Sequence, residues 1–190
     1  VLKGSLLITL YENLRWKTIS PQGFREEMLA YLPNESNSLL FSMALSYLGD
    51  CQRIFPSDSC PLEEALWKIV TTNPVSQHRL QAFRLYRSIA DSEEAVQRLY
   101  TLWQERKAPK DCTLSESDYI GLSYMLAMHL PEKADKIIAT QLSRIQNPDR
   151  KKEYQFISPS VSPRKAERDS VFASLLIAGN RRVEPWASSA

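Results

Sequence analysis

The 190-residue chain is short of three residue types: it has five glycines, two histidines and three cysteines. Few glycines leave no Gly-rich phosphate loop and no Gly-x-Ser-x-Gly nucleophile elbow. His78 and His129 stand far apart, whereas a thermolysin-type zinc site needs two histidines one helical turn apart in His-Glu-x-x-His. No metal ligand and no catalytic residue is therefore assigned. Cys51, Cys60 and Cys112 form no CxxC pair, and an odd count is no disulfide framework. Two readings stay open for them: free, half-buried thiols, or a Cys51–Cys60 bridge across a loop in an exported parent. A Cys–His nucleophile pair stays open too, with no local signature behind it. No apolar run approaches the roughly 20 residues that span a membrane. Charge of one sign is also missing: the net charge is +2. That argues against a nucleic-acid or membrane footprint. Runs of alternating apolar residues bounded by turn signals are absent, which leaves no strand.

What is present is ordinary for a globular protein: 43% hydrophobic and 24% charged residues. The length suits one helical domain over residues 1–190. The chain begins with Val1 and shows no secretory signal. Leu6, Leu7 and Ile8 read as mid-helix, and the final EPWASSA reads as a helix just starting. A fragment of a longer multidomain protein is the expectation.

Helix starts are easy to place. Ser20-Pro21, Asn73-Pro74, Asn147-Pro148 and Ser162-Pro163 each put a capping side chain before a proline that suits the first helical turn. Cys60-Pro61 is similar, with Glu63 and Glu64 where the helix dipole favours acids. Ser92, Ser115 and Pro131 open three more. Apolar residues between these starts keep helical spacing: Phe24, Met28 and Leu32; Leu62, Leu66, Ile69 and Val70; Ala95, Leu99, Leu102 and Trp103; Ala134, Ile138, Leu142 and Ile145; Phe172, Leu175 and Leu176. Tyr119 to Leu130 is apolar nearly all round, which predicts a central helix. About ten helices result. Alternate starts recur every 30 to 40 residues or so, the size of a helix-turn-helix unit. The expected fold is all-α: an irregular HEAT- or armadillo-like solenoid of antiparallel helix pairs, with a compact irregular bundle as the alternative.

Paired acids at Glu26-Glu27, Glu63-Glu64 and Glu93-Glu94 fall in or near first helical turns, where capping and solvation explain them. His78, between Gln77 and Arg79, reads as lying on a polar helix face. The basic clusters carry more. Arg150, Lys151 and Lys152 precede Tyr154 and Phe156; Arg164, Lys165 and Arg168 follow, then Arg181 and Arg182. Many can pair with acids at helical spacing. On the concave side of a solenoid an arginine beside an aromatic can also hold a peptide carboxylate through bidentate bonds. Arg150, Arg168, Arg181 and Arg182 are the candidate peptide-contacting residues.

Two stretches carry a resemblance. LLITLYENLRWKTISPQGF (residues 6–24) and RKKEYQFISPSVSPRKAERDSVFASLLIAGNRRVEPW (residues 150–186) are similar, in order and spacing, to the C-terminal helical domain of M1-family zinc aminopeptidases, the bacterial members above all. The second holds Glu167, Arg168, Asp169 and Phe172, then Asn180, Arg181, Arg182, Glu184, Pro185 and Trp186. Between the stretches the agreement is one of helix pattern. The resemblance implies a parent with a β domain, a thermolysin-like domain holding the zinc, and this chain as a non-catalytic domain that caps the cleft and helps select peptides. Its partners would be the parent's catalytic domain, within one polypeptide, and peptide substrates. The compartment stays open between bacterial cytoplasm and periplasm. The alternative is a free-standing α-solenoid scaffold that binds a partner protein.

Overall fold

A computed structural model of the chain describes residues 2–190. The fold is all-α. Among the described residues there are eleven α-helices and no strand: α1 Leu2–Arg15, α2 Pro21–Tyr31, α3 Ser38–Ile54, α4 Cys60–Thr72, α5 Ser76–Ile89, α6 Glu93–Glu105, α7 Glu116–His129, α8 Ala134–Arg144, α9 Pro148–Ile157, α10 Lys165–Leu175 and α11 Glu184–Ser189. Short 3-10 turns such as Leu32–Asn34 and Ser158–Val161 lie between some of them.

Side-chain caps set several of the starts. Ser20 Oγ accepts from Gly23 N at 3.0 Å, and Asn147 Oδ1 accepts from Asp149 N and Arg150 N. Ser115 and Asp118 form a reciprocal capping box at α7. Pro131 opens a 3-10 turn, and α8 begins at Ala134. Two of the cap-and-proline starts move as well. Asn73 ends α4 rather than opening α5; its Oδ1 accepts from Val75 N, and α5 begins at Ser76. Ser162 Oγ accepts from Arg164 N, and α10 begins at Lys165. In both cases the cap-and-proline pair turns the chain first and the helix follows. The start of α3 was not foreseen: Asn37 caps it, without a proline, by accepting from Leu39 N and Leu40 N.

The sequence reading draws no internal boundary, whereas the contacts group the chain into two compact units. The first runs up to Ala95 and includes Lys107–Thr113; the second is Val96–Arg106 with Leu114–Ala190.

In the first unit the predicted stripes form the core: Phe24, Met28, Leu32, Leu62, Leu66 and Val70 are buried, with Phe41, Leu48 and Phe83. Three residues join α4 to α5, so the pair folds back on itself. Ser38 meets His78 and Gly49 meets Leu85, so α3 and α5 run the same way. Parallel stacking of alternate helices is the arrangement of a HEAT-like repeat. Glu63, expected as a solvated first-turn acid, is buried. It accepts from Asp91 N and Ser92 N and from the Ser92 hydroxyl, fixing the turn into α6. Burial opposes its charge, but these donors hold the carboxyl below its usual range.

In the second unit α7 is the central helix its pattern predicts, burying Tyr119, Leu122, Ser123, Met125, Leu126 and Ala127. Trp103 Nε1 donates to Gln141 Oε1 at 2.8 Å in the interior. Arg144 lies 4.9 Å above the Trp103 ring and donates to the carbonyls of Trp103 and Gln104, closing the end of α6.

Candidate functional site

The candidate arginines all belong to the second unit. Tyr154 seats α9: it is fully buried, stacks on Tyr124 at 5.0 Å, and shares a 2.9 Å hydrogen bond with Ser123 Oγ. Phe156, two residues on, meets Trp186 of α11 at 5.9 Å. An open groove of about 560 Å³ runs from Gln155, Phe156 and Pro159 to Ala166, Val171 and Ser174 of α10. Its lining is mainly apolar, with Glu167 on one side.

Three of the four arginines have partners within their own fold. Arg150 Nη1 lies 3.4 Å from Glu116 Oε1, while Glu116 Oε2 accepts from Gln146 N at 2.8 Å. Arg168 donates to the Ser162 carbonyl at 2.7 Å. Arg181 donates to the Leu175 carbonyl. Arg182 is exposed and makes no hydrogen bond or ion pair among the described residues. Arg164, not a candidate, is the hub of the surface. It forks onto Asp135 at 2.8 and 2.9 Å and onto Glu167 at 2.6 and 3.1 Å. Its bonds hold both carboxyls below their ordinary range, and the acids raise the arginine in turn.

Apolar exposure is concentrated here as well. Phe172 is 70% and Leu176 68% exposed, and Ile177 and Val183 are also largely uncovered. The expected stripe of Phe172, Leu175 and Leu176 is thus present on α10, which buries no residue.

The first unit holds a polar cluster that the sequence reading did not single out. The Glu35 carboxylate, buried, accepts from Tyr31 OH, from Asn37 N at 2.7 Å and from Lys3 Nζ at 3.1 Å. The Tyr31 and Asn37 bonds hold its pKa down to about 2. Burial and the same carboxylate push Tyr31 up to about 12. His78, expected on a polar face, is instead fully buried and lies flat on Phe41 at 4.0 Å. Its flanking polar residues mislead, because a single inward position on α5 suffices. Ser38 Oγ lies 3.0 Å from His78 Nε2. A Ser–His pair invites a nucleophile reading, but an activated serine needs a base that a third group orients. Here Nδ1 has no hydrogen-bond partner and no solvent access. The pair is structural.

The thiols carry no activation. Cys51, Cys60 and Cys112 are free. Burial raises Cys51 and Cys112, and the Asp58 carboxylate raises Cys60. Among the described residues no three His, Cys, Asp or Glu side chains gather as a metal-ligand set. Among the described residues no helix is long and apolar enough to cross a membrane. No protein-family model, curated protein or solved structure matches the chain.

Proposed function

We propose that this chain is a non-catalytic helical domain of an M1-type zinc aminopeptidase, one that caps the active-site cleft and helps select peptides. What supports the reading is the resemblance of two sequence blocks, residues 6–24 and 150–186, to that family's C-terminal domain. The second block also supplies the open groove beside Phe156 and the arginines along α9 and α10. In this role the chain binds and shapes; hydrolysis, and the zinc that supplies it, belong to the parent's catalytic domain. Movement of such a cap sets which peptides enter and when the cleft closes. Arg182, with its guanidinium uncommitted, is the best placed of the four candidates to meet a peptide carboxylate.

The test is an assay of the gene's full product on aminoacyl-aminomethylcoumarin and on longer peptides, with and without a zinc chelator. Chelator-sensitive activity is expected, with length preference altered when residues 1–190 are deleted. An inactive product that lacks His-Glu-x-x-His sinks the reading. The chain then falls to the scaffold alternative, for which its exposed α10 face is the bait to use in a partner pull-down.

A further inference from the structure

The His78 cluster does something that capping a cleft does not require. Four segments converge on it: Lys3 from α1, Tyr31 at the end of α2, Glu35 to Ser38 at the start of α3, and His78 from α5. The imidazole has no exposed surface and lies parallel to the Phe41 ring. One nitrogen meets Ser38; the other meets no polar atom. A neutral ring fits this place, sharing one hydrogen bond with the Ser38 hydroxyl through Nε2 while Nδ1 has no partner. An added proton puts an unsatisfied donor and a positive charge into the interior. It does so beside the N-terminus of α3, whose dipole repels a cation.

The charged groups around the ring do not rescue that charge. Glu35 is the acid that acts on it, and its carboxylate is already occupied by Tyr31, Asn37 and Lys3. Arg79, next along α5, is turned to Asp111 at 2.9 Å and to the Lys110 carbonyl. On α3, Asp50 and Arg53 pair with each other in the last turn, away from Ser38. On α4, Glu63 is bonded to Asp91 and Ser92, and Lys68 lines a separate groove with Leu29 and Pro33. Glu64 of α4 is exposed.

We propose that the His78 imidazole is an acid-operated latch: on gaining a proton it loosens the hold of α5 on α3 and lets the first unit open along that seam. Burial lowers its pKa below the free value, with Glu35 opposing to a smaller extent. The opened form, whose imidazole titrates near about 6.5, takes the proton first. Stability of the seam is therefore complete above that pH and falls as pH drops toward the buried value, by at most about tenfold per pH unit. The latch does not depend on the aminopeptidase reading and applies equally to a scaffold.

Hydrogen exchange on the whole chain tests it. Protection factors of α5 amides, corrected for intrinsic exchange, are compared at about pH 7.5 and about pH 5.5, with α8 as the internal reference. The wild-type chain is expected to lose protection in α5, by up to about tenfold, and none in α8. His78→Gln, which keeps a donor for Ser38, and His78→Phe, which keeps the stack on Phe41, should each abolish the loss; His129→Gln should retain it. Equal α5 protection at both pH values overturns the proposal, as does the same loss in His78→Gln. Should either variant fail to fold, NMR titration of the wild-type imidazole decides: a His78 pKa at or above about 6.5 in the folded chain refutes the latch.

Discussion

Helix α5 in the first unit and helix α10 in the second each carry apolar residues at helical spacing, yet they are held in different ways. Helix α5 buries Ala82, Phe83, Tyr86 and a histidine, and packs on both α3 and α4. Helix α10 buries nothing; it rests on the Ser158–Val161 turn and is tied by the Arg164 fork onto Asp135 and the Arg168 bond to Ser162. Ion pairs of that kind on a surface contribute little, whereas removed apolar area contributes at about 25 cal/mol per Å². An apolar stripe at helical spacing thus marks a face that can be buried, and whether it is buried depends on a neighbour.

The largest effect should come from cutting into the first of these. Phe41→Ala removes a fully buried ring from against His78 and leaves a cavity, at a cost of about 3–5 kcal/mol. Phe172→Ser on α10 should stay within about 0.5 kcal/mol, as a change to an exposed residue does. Urea unfolding of the two variants measures both. A Phe172→Ser cost near that of Phe41→Ala would break the contrast, and would mean that α10 is covered in solution.

Buried polar groups sharpen the same contrast. The carboxylates of the second unit's surface pair with exposed arginines, while Glu35 is held in the first unit's interior by Tyr31, Asn37 and Lys3. Those bonds keep its pKa at about 2, below the unfolded value of about 4.3. The stability this provides is present above about pH 4.3 and is lost as pH falls toward 2. Glu35→Gln should cost about 1–3 kcal/mol near neutral pH, because the Tyr31 hydroxyl and Lys3 lose a charged acceptor. It should also flatten the acid limb of stability in that window. An unfolding midpoint that falls as steeply in Glu35→Gln as in the wild-type chain would assign the acid limb to other carboxylates.

The division between what the sequence made legible and what it did not follows the same physics. Helix count, the α7 centre and most starts were readable, because caps, prolines and 3.6-residue spacing are local signals. Glu63 and His78 were not. Each looks polar and solvated in sequence, and each is buried by partners about 30 to 40 residues away, at the repeat spacing of the stack. The four candidate arginines divide differently. Their type and clustering suggest a ligand, while Arg168 and Arg181 are bonded to carbonyls six residues from themselves. Charge pattern cannot separate these uses, since both need the same side chain.

A small effect is also expected at the Gly49–Leu85 approach in the α3–α5 seam. A Cβ built on Gly49 would lie 2.9 Å from Leu85 Cδ1, too near for ordinary contact. The obstacle is the end of a flexible side chain, so a rotation of Leu85 relieves it. Alanine in a helix interior is favoured over glycine by about 1 kcal/mol, which offsets the strain of moving Leu85. Gly49→Ala should therefore leave the midpoint of unfolding within about 1 kcal/mol of the wild-type chain. Gly179 in the second unit has open space where its Cβ would lie. Gly179→Ala should stabilise by about 0.4–1 kcal/mol if the Ala178–Arg181 turn is as well held as the seam, and by less if it frays. A large loss in Gly49→Ala would show that α3 and α5 are locked backbone to backbone. In that case the seam would resist opening by a single protonated ring, and the contrast between the two regions would be wider than their side chains suggest.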